Sequence, residues 1–284
     1  MKAPAQANDL FAGRTVTIAT MHGKERVLAP LLEKELHVHC KVVEGLNTDA
    51  FGSFSGEIQR KGTPIEALRA KTRKAIELVK GSLVVASEGS FGPHPSYFFI
   101  PGNEEMVMLT DTVHKLEIVG RHLTEKTNYQ KREIKDLREF ESFAKQIGAP
   151  EHGIILKTIH GPQKVWKDFT SFEDTSNMVE HLLKKERVLM AETDMRAMNN
   201  PTRMKAIEQA TLDLVKNIKL CCPKCKAPGF SIQGVQRGLP CEHCGMPTKS
   251  VKAHVHSCQK CGFTETRSNQ RTYENPQYCD YCNP

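Results

Sequence analysis

Eight cysteines near the end of the sequence form four Cys-x-x-Cys pairs, a spacing that lets two thiolates bind the same metal ion. We expect neighbouring pairs to share an ion, because 15 residues separate the first two pairs and 17 separate the last two. Four thiolates fill the tetrahedral shell of Zn²⁺, so the sequence predicts two structural zinc ions in a zinc-ribbon-like fold. The predicted ligands are Cys222, Cys225, Cys241 and Cys244 for one ion, and Cys258, Cys261, Cys279 and Cys282 for the other.

Two further cysteines lie outside these pairs. Cys221 could replace Cys222 as a ligand, whereas Cys40 is predicted to be a buried apolar thiol. Reduced thiols that bind a metal are typical of a cytosolic protein. The sequence has no run of about 18 apolar residues and no apolar signal segment at its N-terminus. We therefore expect a cytoplasmic protein without a membrane segment.

The formal net charge of +7 at first suggests a nucleic-acid partner. Residues 219–284, however, contain nine of the basic and four of the acidic side chains. Two Zn²⁺ ions held by eight thiolates would add about four negative charges to this segment, which leaves the whole chain at roughly +3. We therefore expect weak and salt-dependent nucleic-acid binding at most.

Polar residues follow three predicted strands, at 15–20, 83–86 and 188–191. In open α/β sheets, ligands bind beyond the carboxyl ends of parallel strands. Carboxylates beside lysine and arginine suit Mg²⁺ and a phosphate group. The sequence therefore predicts a crevice with three catalytic residues, which are Glu88, Lys24 and Asp194. The predicted ligand-binding residues are His22, Ser90, His94, Glu66, Lys71, Glu192, Arg196 and Arg203.

Several of these residues have a purely structural alternative. Glu66 fits a capping box at the start of a helix. Asp194 and Arg196 could form a salt bridge within one loop, and His22 and His94 could be polar loop residues without a ligand. These alternatives stay open at the level of the sequence.

Alternating strand-like and helix-like segments in residues 1–218 indicate an α/β domain, with a mixed or mostly parallel sheet and flanking helices. Residues 219–284 are predicted to form a small separate domain around the cysteines. A long amphipathic helix starting at Pro201 is expected to join the two. A segment rich in glycine and serine at 47–57 is predicted to be a loop that either is mobile or covers a ligand.

Five motifs together resemble an uncharacterised bacterial family that is known as a domain of unknown function. They are TMHGKE at 20–25, DAFGSFSGE at 49–57, ASEGSFGPHP at 86–95, ETDMRA with NPTRM at 192–204, and CNP at 282–284. The resemblance spans nearly the whole chain. It implies the α/β fold and the cysteine-rich tail, and it implies no established activity.

A second resemblance covers about 90 residues and is to the inosine/xanthosine triphosphate pyrophosphatase superfamily. Three features are similar: a strand and turn ending at Lys24, a helix start with Glu66 and Lys71, and an acidic residue before glycine at Glu88. The turn is one residue shorter than in that superfamily and lacks its asparagine. The resemblance implies that Lys24 binds phosphate, that Glu66 and Glu88 hold Mg²⁺, and that Glu88 orients the attacking water.

The sequence thus supports two hypotheses about function. The first is a Mg²⁺-dependent hydrolase that acts on a nucleotide or another phosphorylated small molecule. The alternative is a non-catalytic protein whose zinc tail contacts nucleic acid or a protein partner.

Overall fold

The computed structural model describes residues 10–48, 62–95 and 99–284. The predicted loop at 47–57 therefore lies outside the described residues except for its first two positions. The described chain contains five α-helices, which are α1 (Glu25–Leu36), α2 (Pro64–Val79), α3 (Leu137–Ile147), α4 (Phe172–Leu183) and α5 (Pro201–Lys219).

Sheet A contains the first five strands of the chain in the order β2-β1-β3-β4-β5. Strand β1 is parallel to both of its neighbours, whereas β3, β4 and β5 form an antiparallel meander. The sheet is therefore mixed, which confirms the predicted fold class. The strands are β1 (Thr15–Ala19), β2 (His39–Val42), β3 (Leu83–Pro93), β4 (Pro101–Asp111) and β5 (Leu116–Thr124).

Helices cover both faces of sheet A. Helices α1 and α5 pack on one face, where Leu28 and Leu214 contact a core that includes Val107. Helix α2 packs on the other face, where Leu68 joins Val84 in a second cluster. Side chains alternate between the two faces along each strand, so neighbouring residues of one strand face different helices.

Strand β3 is longer than the predicted strand at 83–86. The prediction that this strand ends at position 86 was wrong, because the chain continues as a strand to Pro93 and pairs with β4 over its full length. The glycines and the proline of this segment suggest a turn when read alone. Pairing with a neighbouring strand outweighs that local tendency. Glu88 therefore lies inside a strand and not at its end.

Sheet B is a separate antiparallel sheet with the order β6-β9-β7-β8. Helices α3 and α4 pack on it around a core that contains Phe140 and Phe143. The prediction that three strand ends meet in one sheet was wrong, because β9 pairs with β6 and β7 and not with β1 or β3. The strands are β6 (Lys131–Ile134), β7 (Ile154–Thr158), β8 (Val165–Trp166) and β9 (Leu189–Thr193).

Helix α5 begins at the junction with sheet B and then crosses sheet A against β4 and β5. Its approach to β5 is closest at Gly120, where an added Cβ would lie 2.1 Å from the Leu214 nitrogen and 2.3 Å from the Ala210 oxygen. Only glycine fits between this strand and the helix backbone. Across the described ranges, no helix combines the length and the apolar character needed to cross a membrane.

We expect Gly120→Ala to destabilise the protein by about 3 kcal/mol or more, because the added methyl group meets helix backbone that cannot move aside. Urea unfolding of the full chain measures the effect. Gly92→Ala is the matched control in the same sheet, since none of the described atoms lies within 4 Å of its Cβ position. Similar stabilities for the two variants would contradict the close packing of α5 on β5.

Candidate functional site

The tail forms a small antiparallel sheet of three strands, β10 (Ile232–Arg237), β11 (Val251–Ser257) and β12 (Thr264–Ser268). One cysteine pair precedes β10, one follows each of β10 and β11, and the last follows β12. Because successive antiparallel strands run in opposite directions, alternate cysteine pairs lie at the same end of the sheet.

The cysteine pairs are therefore interleaved. The first and third pairs form the first four-cysteine site, which consists of Cys222, Cys225, Cys258 and Cys261. The second and fourth pairs form the second four-cysteine site, which consists of Cys241, Cys244, Cys279 and Cys282. The predicted ligands are confirmed as two groups of four, but the predicted pairing of neighbouring Cys-x-x-Cys motifs was wrong. The direction of the strands, and not the distance along the chain, decides which pairs meet.

The sulfur positions fit a tetrahedral metal ion. In the first four-cysteine site, the Sγ atoms of Cys222 and Cys261 are 3.7 Å apart and those of Cys225 and Cys258 are 3.5 Å apart. The two corresponding distances in the second four-cysteine site are 3.8 and 3.6 Å. Zinc–sulfur bonds of about 2.3 Å place tetrahedral sulfurs about 3.8 Å apart, whereas a disulfide needs about 2.05 Å. Both sites could thus hold a metal ion, and their geometry is consistent with zinc.

Backbone N–H groups in the first two cysteine pairs favour the thiolate form of Cys222 and Cys241, the first cysteine of each of these pairs. The N–H group of Cys244 donates to the Cys241 sulfur and helps to lower the pKa of Cys241 to about 7. The residue after the second cysteine adopts the left-handed conformation, with φ of +72° at Gly245 and +70° at Gly262. Cys222, and not Cys221, belongs to the first four-cysteine site, which settles the choice that the sequence left open.

A buried cluster of charged side chains lies where β1, β3, β4, α2 and α5 meet. We call this the charged cluster, and its members are Lys24, Lys71, Glu88, Glu105 and Arg203. Each of them is at most 5% exposed. Lys71 of α2 forms an ion pair with Glu88 on one face of sheet A. Arg203 of α5 forms an ion pair with Glu105 on the opposite face, with 2.7 Å between Nε and Oε1.

Lys24 differs from the other two cations of the charged cluster. Among the described residues its Nζ atom donates one hydrogen bond, over 2.9 Å, to the neutral hydroxyl of Ser87. Burial lowers the pKa of Lys24 to about 7, and the positive charges of Arg203 and Lys71 lower it further against the weaker opposing effect of the two glutamates. The cluster thus contains an ammonium group without a carboxylate partner in the described chain.

Two buried polar atoms beside the charged cluster have no hydrogen-bond partner among the described residues. They are the hydroxyl of Thr20 and the side-chain oxygen of Asn103. Ala19 of β1 pairs with Ala86 of β3, so Thr20 follows directly beside Ser87. Buried polar groups are nearly always satisfied in folded proteins, and an exception needs a partner such as water or a ligand.

The structure brings together Lys24, Lys71, Glu88 and Arg203 from the predicted crevice. Asp194 is not among them: it accepts hydrogen bonds from Arg196 and Asn199, and nothing in the described contacts joins it to Lys24. The salt bridge between Asp194 and Arg196 matches the structural alternative.

The remaining predicted ligand-binding residues have other environments. Glu192 of sheet B pairs with Lys157 at 2.6 Å. Glu66 completes the capping box of α2, in which Thr63 is the N-cap residue, since the Glu66 carboxylate accepts from the Thr63 N–H group at 2.7 Å. His22 is buried, Ser90 lies in the distal half of β3, and His94 follows that strand. The observed positions of these residues do not show whether they have a catalytic or ligand-binding role, so those roles remain predictions.

Sequence reasoning missed Glu105. The alternation along β4 contains a signal for it, because Asn103, Glu105, Val107 and Leu109 share the face that packs against α5. A carboxylate at a core-facing position indicates a buried partner. Gly89 lies opposite it, and a Cβ there would come within 2.5 Å of the Glu105 Oε1 atom. The glycine makes room for the ion pair.

The fold and these sites define a mixed α/β protein whose tail contains two interleaved four-cysteine sites that could hold metal ions. The chain belongs to the family described as a domain of unknown function (DUF6671), which matches residues 71–284. This match confirms the predicted family. No curated protein matches the chain. The comparisons give no support to the resemblance to the triphosphate pyrophosphatases.

Interleaving predicts which cysteine variants lose the same ion. We expect the double variant Cys222→Ser/Cys258→Ser to retain about one metal ion per chain, because both changes affect the first four-cysteine site. Cys222→Ser/Cys241→Ser should retain close to none, because each change disables a different site. Elemental analysis of purified full-length protein distinguishes the two. The opposite result would restore the pairing of neighbouring motifs.

The low pKa of Lys24 makes stability depend on pH. From pH 7 to 10.5 the unfolded chain keeps a proton that the folded protein has released, so the unfolding free energy rises with pH. One such group raises the unfolding free energy by at most about 1.4 kcal/mol per pH unit. We expect denaturant unfolding between pH 6 and 9 to show this rise, and Lys24→Met to reduce it. Lys34→Met, at an exposed position of the helix that follows, should leave the rise unchanged.

Proposed function

We propose that the charged cluster binds the phosphate group of a small molecule and that the protein hydrolyses this ligand, while two structural zinc ions occupy the four-cysteine sites. The observation that carries the proposal is the charge balance of the cluster. Among the described residues, the cluster contains three buried cations and two buried carboxylates, and Lys24 donates its hydrogen bond to a neutral hydroxyl. An anion supplies the missing negative charge, and phosphate forms strong charge-assisted hydrogen bonds with lysine.

The surroundings of Lys24 support a small anionic group. The Thr20 hydroxyl can donate to a phosphate oxygen, and this would satisfy a buried atom that lacks a partner in the described residues. The members of the cluster are almost completely buried, so only a small terminal group of a ligand would contact them. A bound phosphate would also favour the charged form of Lys24.

Glu88 is the residue through which hydrolysis would proceed. A carboxylate beside the phosphate can hold and orient a water molecule. Outside the four-cysteine sites, the described residues contain no group of three acidic, histidine or cysteine ligands. Mg²⁺ commonly uses one or two carboxylates together with substrate phosphates, so Glu88 would hold it jointly with the ligand. The ion would supply positive charge to the phosphoryl group.

A second candidate function is binding without turnover, through the tail. Tyr273, Tyr278 and Tyr281 are 59%, 53% and 66% exposed. Exposed tyrosines are enriched in protein interfaces. This candidate is favoured if no nucleotide or sugar phosphate is cleaved.

The proposal is tested by phosphate or pyrophosphate release from a panel of nucleotides and sugar phosphates, with and without added Mg²⁺. Chelators are avoided because they would also remove metal from the tail. We expect Lys24→Met to lower turnover about a hundredfold. Glu88→Gln alone leaves Lys71 buried without its partner and should destabilise the fold by about 3–5 kcal/mol.

The double variant Glu88→Gln/Lys71→Met removes both charges of the pair and keeps the fold testable. It should lose turnover to a similar extent as Lys24→Met. The matched control is Arg14→Met/Asp111→Asn, which neutralises another ion pair of sheet A, 2.5 Å in length, and should retain activity. Turnover that survives both in Lys24→Met and in Glu88→Gln/Lys71→Met would contradict the proposal that the charged cluster hydrolyses the ligand. Absence of phosphate or pyrophosphate release from every ligand of the panel would favour the second candidate.

A further inference from the structure

Among the described residues, side chains and no further strand cover the outer edge of sheet A, which is formed by β5. On the side of β5 that faces away from β4, the Arg121 N–H group donates to Asp213 at 3.0 Å. The Val119 oxygen accepts from Asn217 at 2.9 Å. Both partners lie on α5. Edge strands with free backbone groups pair readily with other strands, and proteins usually cover or disrupt them.

A third backbone position of this edge is held by the tail. The Glu117 N–H group donates to the side-chain oxygen of Gln259 at 3.0 Å, and the Gln259 side-chain nitrogen donates to the Glu117 oxygen at 2.6 Å. The amide of one side chain thus makes the two bonds that a residue of a neighbouring strand would make. Gln259 is the first residue between Cys258 and Cys261, so it belongs to the loop of the first four-cysteine site.

Two further contacts attach the first four-cysteine site to sheet A. Gly229 packs so closely on β5 that an added Cβ would lie 2.8 Å from Ile118. Helix α5 ends at Lys219, three residues before Cys222. The second four-cysteine site lies at the other end of the tail sheet. The backbone hydrogen bonds there join tail residues to each other, as between the Glu242 N–H group and the Glu274 oxygen.

We propose that a metal ion at the first four-cysteine site holds the Gln259 side chain in its hydrogen bonds to the edge of β5. A metal ion at the second four-cysteine site has no such role. We call this arrangement the latch. The metal holds Cys258 and Cys261 against the first cysteine pair, and this fixes the loop that carries Gln259. Without the metal, no ion joins the four sulfur atoms, which lie 3.5–3.7 Å apart across the two pairs, and the loop is no longer held in place. The Glu117 end of the edge then opens, while Asp213 and Asn217 still cover the rest.

Hydrogen exchange of the zinc-loaded full chain, resolved to the Glu117 amide, tests the latch. Cys225→Ser removes a ligand of the first four-cysteine site and changes no residue of the loop that carries Gln259. Cys244→Ser is the matched control, because Cys244 is also exposed and also the second cysteine of its pair. We expect Cys225→Ser to accelerate exchange at Glu117 roughly fivefold or more, and Cys244→Ser to leave it near the wild-type rate.

Gln259→Leu removes the hydrogen bonds to Glu117 and leaves the four cysteine ligands unchanged. This variant should keep two metal ions per chain by elemental analysis and still accelerate exchange at Glu117 to a similar extent as Cys225→Ser. Amides of the central strand β3 serve as the internal reference for global unfolding. Equal effects of Cys225→Ser and Cys244→Ser, or unchanged exchange at Glu117 in Gln259→Leu, would overturn the proposal. None of these measurements depends on the ligand or activity of the charged cluster.

Discussion

Helix α5 lies so close to β5 that its backbone contacts Gly120 directly, and the rest of the structure is arranged around this contact. The first turn of the helix carries Arg203 into the charged cluster. Its middle closes the hydrophobic core of sheet A, and Asp213 and Asn217 cover the strand edge. Its last residues lead into the first four-cysteine site. One rigid helix therefore fixes the relative positions of the charged cluster, the core and the tail.

The charged cluster is unfavourable to folding when considered alone. Removing five charged groups from water costs several kcal/mol for each ion. Within the described part of the chain, ion pairing offsets that cost for Lys71 with Glu88 and for Arg203 with Glu105. Lys24 is left with a neutral partner and a pKa of about 7. Groups with strongly shifted pKa values in such a polar constellation are characteristic of functional sites. A purely structural core would be more stable with apolar residues at these positions, and this difference supports a ligand at the cluster.

The sequence contains enough information for the local features and too little for the pairing of distant segments. Spacing alone identified the eight cysteines, and capping chemistry identified the start of α5, where the Asn200 side chain accepts from the Arg203 N–H group at 2.9 Å. Glu88 was found, but inside a strand whose extent depends on β4. Asp194 was assigned to the wrong sheet, because a short apolar run does not reveal its neighbours. Glu105 was missed because its partner lies 98 residues away in the chain.

The interleaved cysteines show why the tail behaves as one unit. If neighbouring pairs shared an ion, each metal would close a short loop and could bind before the tail sheet formed. In the observed arrangement the contacting sulfurs are 33 to 41 residues apart, so both sites need β11 in place between the outer strands. Closing these longer loops is entropically less favourable, and metal binding is coupled to formation of the whole sheet. The sheet then holds the two sites at opposite ends, and only the end that carries Gln259 faces the edge of β5.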